Sequence, residues 1–160
     1  MSDSGPLQIS IKTRLGTFTV GFSHNDLVRL QFPDAPAEPG RPARHHPLLD
    51  QTRTCLEEML SGRQPQSYPP MDLSVGTKFQ QSVWRTMLAI PPGETMTYGE
   101  VAQAIGNSGA TQAVGTACGM NPIPLIVPCH RILGSNGIGG FSSGLDWKIK
   151  LLQIEGVTLL

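Results

Sequence analysis

A single cysteine between a proline and a histidine is the part of this sequence best suited to covalent chemistry. Cys129 follows Pro128, precedes His130 and ends an apolar run that starts at Leu125. Proline restricts the backbone at this point, and an imidazole beside a thiol can help to form the nucleophilic thiolate. The pattern therefore predicts a reactive cysteine held at the end of a short apolar strand.

The other cysteines and histidines do not form a recognisable metal or disulfide pattern. Cys55, Cys118 and Cys129 are an odd set with wide spacing, which fits neither a disulfide framework nor paired zinc ligands. The neighbouring His45 and His46 have no cysteine or further histidine at ligand spacing. We therefore expect reduced thiols and no bound metal.

Composition narrows the class of protein. The chain has 160 residues, 39% of them hydrophobic, and a formal net charge of zero. Its first residues do not resemble a signal peptide, and no apolar run reaches membrane-spanning length. We expect a globular cytoplasmic protein, or a nuclear one in a eukaryote, without a membrane partner. With no excess of basic residues, contacts to nucleic acid would depend on backbone amides and helix N-termini.

The first part of the chain predicts a small sheet followed by a helix. Residues 6–12, 15–22 and 27–32 alternate between apolar and polar in the manner of strands, which favours an antiparallel meander. Residues 33–47 contain five prolines and are interpreted as an exposed loop. Residues 48–61 have helical spacing and end before Gly62.

A proline-rich segment at residues 63–73 predicts a linker between two domains, which we place at 1–74 and 75–160. Helical patterns then cover residues 79–88 and 146–154. The expected fold class is α/β (α+β): a small N-terminal domain with an antiparallel sheet and a helix, and a mainly helical C-terminal domain with a helix-turn-helix.

The helix-turn-helix pattern lies at residues 97–118. Thr97 and Glu100 have capping-box spacing, and a turn at 107–109 leads to a second helix with Ala113, Val114 and Ala117 directed inward. This second helix is uncharged and rich in small residues, so it would follow the shape of a groove more than its sequence. A purely structural pair of helices remains an equal interpretation of this pattern alone.

Several motifs occur together in an order that resembles the O6-alkylguanine-DNA alkyltransferases. The resemblance covers residues 79–157, with Tyr98 in the helix-turn-helix as its first marker. The remaining motifs are Asn121-Pro122, Pro128-Cys129-His130-Arg131, Gly140-Phe141-Ser142 and Leu151-Leu152-Gln153-Ile154-Glu155-Gly156.

The resemblance implies DNA repair by direct transfer of an alkyl group from O6-alkylguanine in double-stranded DNA to Cys129. The product would be a stable thioether, so each molecule would act once, without a cofactor. The target nucleotide would be flipped out of the duplex, because the reaction is sterically impossible inside the base stack. A monomer is expected, with cooperative binding to DNA and activity on O4-alkylthymine both left open.

The resemblance also implies the roles of the residues around the thiol. His130 would activate Cys129 through a water molecule, and Glu155 would orient His130. Asn121 would support the turn that carries the cysteine. Arg131 is expected to brace the active-site loop beside the substrate.

Further residues are implied at the substrate and DNA interface. Tyr98 would help to rotate the nucleotide and bind the flipped base, and Phe141 would form a wall of the pocket where a tyrosine is common in the family. Main-chain carbonyls of Cys129 and Ile132 would accept from the guanine amino group, and the Ser142 amide would donate to its oxygen. The second helix would contribute the following residues: Thr111, Gln112, Ala113 and Cys118, the last directed towards the core.

Gln112 departs from the family pattern. Many members have an arginine at this position, which fills the space left in the base stack. Glutamine can hydrogen-bond the orphaned cytosine but lacks the cationic attraction. We expect weaker DNA binding or slower flipping, with the chemistry retained. The N-terminal part also lacks the cysteine and histidine set that holds zinc in some relatives, which again predicts no metal.

Two other functions are compatible with parts of the pattern. Alkyltransferase-like proteins bind alkylated DNA without reaction, but they replace the nucleophilic cysteine that is present here. A cysteine hydrolase or a redox-active thiol protein would need a peptide-binding cleft or a second cysteine close to Cys129.

Overall fold

The structure is a computed structural model that describes residues 5–158. The first four strands precede the helices along the chain, and two further short strands lie among the helices. The elements are β1 Leu7–Thr13, β2 Gly16–Phe22, β3 Leu27–Gln31, β4 Arg41–Pro42, α1 Leu49–Leu60, α2 Lys78–Leu88, β5 Met96–Thr97, α3 Tyr98–Ala104, α4 Thr111–Gly119, a 3₁₀ turn Cys129–Arg131, β6 Ile132–Leu133 and α5 Leu145–Ile154.

The first three strands form the predicted antiparallel meander. β1 pairs with β2 from Leu7 opposite Phe22 to Thr13 opposite Gly16, and β2 pairs with β3. Gly16 has a φ of 119° at the tight turn between β1 and β2, a conformation that favours glycine. Alternate residues of these strands point into the core, among them Ile9, Ile11, Phe18, Val20 and Leu30. The prediction for this part is confirmed.

A fourth strand lies within the segment predicted as a loop. β4 pairs parallel with β1 and forms the edge of the sheet, whose order is β3-β2-β1-β4. The amide of Arg41 donates to the Pro6 carbonyl at 2.9 Å, and the amide of Ala43 donates to Gln8 at 2.8 Å. Pro42, between these two residues, has no amide hydrogen and so needs no acceptor in the sheet. Such a short edge strand tolerates proline, so composition concealed it.

The segment predicted as a linker is attached to the sheet. The Leu27 amide donates to the Pro70 carbonyl at 2.8 Å, and the Asp72 amide donates back to Leu27 at 3.1 Å. Buried residues from both sides of the boundary, such as Leu56 and Trp84, belong to one hydrophobic cluster. The division at residues 74 and 75 stays a prediction.

Two short helices follow α2 and pack against each other. Thr97 and Glu100 form the predicted capping box at the start of α3, and Gly106 has a φ of 79° just after its end. Trp84 anchors the second helix, because its indole N–H donates to the Ala117 carbonyl of α4 at 2.9 Å. Ala113 is exposed, so its expected inward position was wrong: the buried face of this short helix lies at the spacing of Val114, Ala117 and Cys118.

The segment before Cys129 is a turn and not the expected strand. Residues 123–127 form a tight bend with an isolated bridge between Pro124 and Val127, and Leu125 has a φ of 80°. The Val127 amide donates to the Ile123 carbonyl at 2.9 Å within the same bend. The sequence here combines prolines with apolar residues, which is compatible with a short strand and with a buried turn.

The mixed α/β (α+β) class is confirmed, with one addition. β5 and β6 form a separate parallel pair, which joins the start of α3 to the residue after the 3₁₀ turn. Among residues 5–158, no helix combines the length and the apolar character needed to cross a bilayer.

Candidate active site

Cys129 begins the 3₁₀ turn and is almost fully enclosed. Its relative exposure is 3%, and its amide donates to the Val127 carbonyl at 2.8 Å. Burial raises the pKa of the thiol to about 11, while the Asn121 amide and the Lys148 ammonium act in the opposite direction. At neutral pH the thiol is therefore protonated, and a nucleophilic reaction requires removal of its proton.

His130 is buried beside the thiol and bound to a carboxylate. Its Nε2 lies 2.9 Å from Oε2 of Glu155, and both side chains are enclosed. Burial lowers the pKa of His130 although Glu155 acts to raise it, so the imidazole is neutral at neutral pH. A neutral ring donates from Nε2 to Glu155 and leaves a lone pair on Nδ1. Nδ1 has no hydrogen-bond partner among the described residues, so it is available as a proton acceptor.

Arg131 holds Glu155 in a bidentate ion pair. Nε of Arg131 donates to Oε1 at 2.9 Å, and Nη2 donates to Oε2 at 2.7 Å. Nη1 donates to the Ile90 carbonyl at 2.6 Å. Burial would raise the pKa of Glu155, but the hydrogen bonds from His130 and Arg131 lower it to about 2. The buried guanidinium thus braces the carboxylate and is not available to DNA.

Asn121 ties together the bend that leads to the cysteine. Its Nδ2 donates to the Val127 carbonyl at 2.8 Å, and its Oδ1 accepts from the Ile123 amide at 2.9 Å. Val127 is the same residue that accepts the Cys129 amide. One buried side chain therefore joins the end of α4 to the backbone of the reactive turn.

Lys148 is a residue of this site that sequence reasoning missed. Its ammonium is fully buried and donates to the carbonyls of Ile132 at 2.6 Å and Gly140 at 2.8 Å. One lone pair of the Ile132 carbonyl is therefore taken, so a guanine amino group would have to share this acceptor. The available signal was helical spacing, because Lys148 shares its face of α5 with the buried Leu151 and Leu152.

A cavity of about 280 Å³ opens above the thiol. The hydroxyl of Tyr98 accepts from the Gly140 amide at 3.1 Å at its rim, and α4 contributes only small residues to it. The sequence-predicted residues Tyr98, Cys118, Cys129, Phe141 and Ser142 all meet here. The lining residues are Tyr98, Gly115, Cys118, Gly119, Cys129, Gly140, Phe141 and Ser142.

Phe141 connects this cavity to the aromatic part of the core. Its ring packs edge-on against Phe32 at 5.7 Å and lies 6.4 Å from the His130 ring. Phe32 in turn packs against Trp147 of α5 at 5.0 Å. The glycine-rich loop, residues 134–144, is therefore held over the thiol by Phe32, which follows β3, and by Trp147 of α5.

Three of the predicted interface residues lie apart from the cavity, in the exposed first turn of α4. Thr111, Gln112 and Ala113 are exposed, whereas Cys118 on the same helix is buried and lines the cavity. The exposed start of α4 carries no charge and no bulky side chain, so its backbone can approach another surface closely.

Comparison with known proteins agrees with this geometry. Residues 78–157 match the family described as 6-O-methylguanine DNA methyltransferase, DNA binding domain. A probable methylated-DNA--protein-cysteine methyltransferase of Acanthamoeba polyphaga mimivirus is 54% identical over 86 residues, which is 53% of this chain and 58% of that protein. This chain thus spans little more than half the length of that relative.

Longer matches come from mycobacteria. A methylated-DNA--protein-cysteine methyltransferase of Mycobacterium leprae is 37% identical over 149 residues, covering 91% of this chain and 90% of that protein. The crystal structure of Mycobacterium tuberculosis OGT in complex with DNA is similar with a TM-score of 0.82 and 35% identity, covering 92% and 91% of the two chains. The chain therefore belongs to the family of methylated-DNA--protein-cysteine methyltransferases.

Proposed function

We propose that this protein repairs O6-alkylguanine in duplex DNA by transferring the alkyl group to Cys129. The observation that carries the proposal is the position of this thiol at the base of a small cavity, beside a buried imidazole and carboxylate. A cavity of this size suits one base edge and a short alkyl group. The crystal structure of the mycobacterial relative in complex with DNA supports DNA as the partner.

The transfer begins with activation of the thiol. Nδ1 of His130 accepts the proton of Cys129 through a water molecule, and Glu155 stabilises the positive charge that forms on the ring. Arg131 keeps Glu155 ionised and in place. The thiolate then attacks the alkyl carbon, a sulfur–carbon bond forms, and the carbon–oxygen bond breaks. The electron pair of that bond stays on O6 of the guanine, and N1 of the base is protonated, which balances the proton that His130 took from the thiol.

Access to the thiol requires the target nucleotide to leave the duplex. Cys129 is nearly fully buried beneath α4 and the glycine-rich loop, so a stacked base cannot reach it. We assign Tyr98 at the cavity rim to contact with the flipped nucleotide, and the exposed Gln112 to the space that the nucleotide leaves in the stack. Thr111 and Ala113 flank Gln112 and would lie against the DNA backbone.

The reaction ends with a modified protein. An alkyl cysteine is a thioether, and its sulfur–carbon bond is a poor target for a neutral imidazole and a carboxylate. Each molecule would accordingly act once. The free thiol at Cys129 also favours transfer over simple binding of the lesion, and the small size of the cavity over it favours transfer over peptide hydrolysis.

Incubation with duplex DNA that carries one O6-methylguanine tests this function. We expect the intact chain to gain the mass of one methylene group, and the DNA to show guanine at the lesion. Cys129→Ala serves as the matched control and should bind the duplex without a gain in mass. Binding without transfer by the unaltered chain would favour a non-reacting lesion binder, and absence of both would favour a different thiol chemistry.

A further inference from the structure

Lys148 occupies an unusual position for a lysine. Its side chain is fully buried on the inner face of α5, whereas Lys150, two residues later, is exposed and lies over the Trp147 ring at 4.9 Å. Buried ammonium groups are costly unless their donors and charge are both compensated. The reason for keeping a cation here must lie in its surroundings.

The donors of Lys148 connect two parts of the site. The Ile132 carbonyl, 2.6 Å away, follows the 3₁₀ turn that carries Cys129, and the Gly140 carbonyl, 2.8 Å away, lies in the loop that walls the cavity. The Gly140 amide donates in turn to the Tyr98 hydroxyl. One side chain therefore sets the distance between the reactive turn and the cavity wall.

The charge of Lys148 faces thiols and not carboxylates. It forms no salt bridge within residues 5–158, and the titratable groups that interact with it are Cys129, Cys118 and His130. Glu155 is already paired with His130 and Arg131. Burial lowers the pKa of Lys148 to about 8, against the opposing effect of the two thiols.

We propose that Lys148 is a positioning residue for alkyl transfer, which fixes the cavity wall over Cys129 and stabilises the thiolate by its positive charge. The first part of this inference rests on the proposed function. The second part concerns only the thiol, and it holds for any electrophile that reaches Cys129.

The charge effect can be measured without DNA. Rates of Cys129 alkylation by iodoacetamide, followed by peptide mass mapping between about pH 6 and 10, report the thiolate fraction of Cys129 at each pH. We expect Lys148→Met to lower the rate about tenfold near neutral pH, where Lys148 is protonated, and by less above its pKa of about 8. Lys148→Arg should retain most of the wild-type profile, and Lys150→Met is the matched control that should leave it unchanged.

An unchanged Cys129 profile in folded Lys148→Met would overturn the electrostatic role, even if the melting temperature fell. If that variant does not fold, the wild-type profile gives the same answer, because the rise of the alkylation rate with pH should slow above about pH 8, where Lys148 loses its charge. A wild-type rate that rises about tenfold per pH unit through this point would contradict the inference.

Methyl transfer from O6-methylguanine DNA then separates the two proposals. If the wild type transfers a methyl group and Lys148→Met is at least tenfold slower at neutral pH, both stand. If the wild type transfers nothing while alkylation of Cys129 by iodoacetamide is still slower in Lys148→Met, the proposed function fails and the electrostatic role stands. Transfer by Lys148→Met at the wild-type rate would overturn the positioning role and would also contradict the electrostatic role, since a lower thiolate fraction slows every reaction of Cys129.

Discussion

Nε2 of His130 and Oε2 of Glu155 lie 2.9 Å apart in the protein interior, where neither side chain is exposed to water. The two groups come from different parts of the chain: His130 lies in the 3₁₀ turn, and Glu155 is the residue immediately after α5. Burial keeps the imidazole neutral, and the contact with Glu155 holds its proton on Nε2, so that Nδ1 is left without a partner among the described residues. The ring is thereby prepared to receive a proton from the neighbouring thiol.

Glu155→Gln should impair both reaction and stability. The amide cannot stabilise a protonated His130, and we expect methyl transfer to slow by about a hundredfold, within the usual range for a general base. The variant also leaves the buried Arg131 without its counter-charge, which should cost about 3 kcal/mol in unfolding free energy. Single-turnover kinetics and urea unfolding measure the two effects. Glu57→Gln, on the exposed face of α1, should change neither.

Stability should fall on acidification for two reasons. The pKa of Glu155 is lowered to about 2, so its stabilising effect is complete above the ordinary carboxyl pKa and is lost as the pH falls towards 2. The pKa of His130 is also lowered, so the unfolded chain gains that proton first, from about pH 6.5 downwards. In urea unfolding, Glu155→Gln should lose the part of the decline that the carboxylate causes, between its ordinary pKa and about 2, and keep or deepen the part due to His130, because Glu155 no longer raises the His130 pKa. A profile that the substitution leaves unchanged would be evidence against the coupled pair.

Asn121→Ala should loosen the reactive turn. The substitution removes the donor to the Val127 carbonyl and the acceptor of the Ile123 amide, and leaves both backbone groups buried. We expect a loss on the order of 2 kcal/mol in unfolding free energy and slower iodoacetamide labelling of Cys129. Asn25→Ala, at an exposed position, is the control. Equal stability of the two variants would show that the Asn121 bonds do not hold the turn.

Gln112→Arg tests the role of the exposed start of α4. An added cation near a phosphate should tighten binding to duplex DNA and steepen its salt dependence by about one unit of the log–log slope. Transfer from a lesion should also become faster, because the guanidinium stacks where the base was. Gln66→Arg adds the same charge outside the helical pair and should produce neither effect. Unchanged affinity and rate in Gln112→Arg would refute the assignment of this position to the base stack.

Local patterns predicted the elements that local forces determine. The Thr97–Glu100 capping box and the meander were readable from the sequence, because they depend on residues a few positions apart or on strict alternation. β4 was not readable, because its two residues pair with β1 only through the tertiary path of a proline-rich segment. The bend at residues 123–127 was misassigned as a strand for a similar reason: apolar content alone does not separate a buried turn from a buried strand.

The candidate site was predictable as a set of residues and not as an arrangement. Cys129, His130 and Glu155 came from motifs, and the structure brings them together. Lys148 carries no motif, since a lysine on a terminal helix is usually solvated, and only the positions of the Ile132 and Gly140 carbonyls reveal its role. Likewise, the burial of Arg131 against Glu155 depends on a contact across 24 residues of chain.

Stoichiometry and site of alkylation test the central claim most directly. The protein is mixed with an excess of duplex containing O6-methylguanine, and methyl groups per chain are counted over time by intact mass and peptide mapping. The account predicts a plateau at one methyl group, located on Cys129, with one guanine restored per protein molecule. Repair of many lesions per chain, or a methyl group located on Cys118 or Cys55, would contradict it.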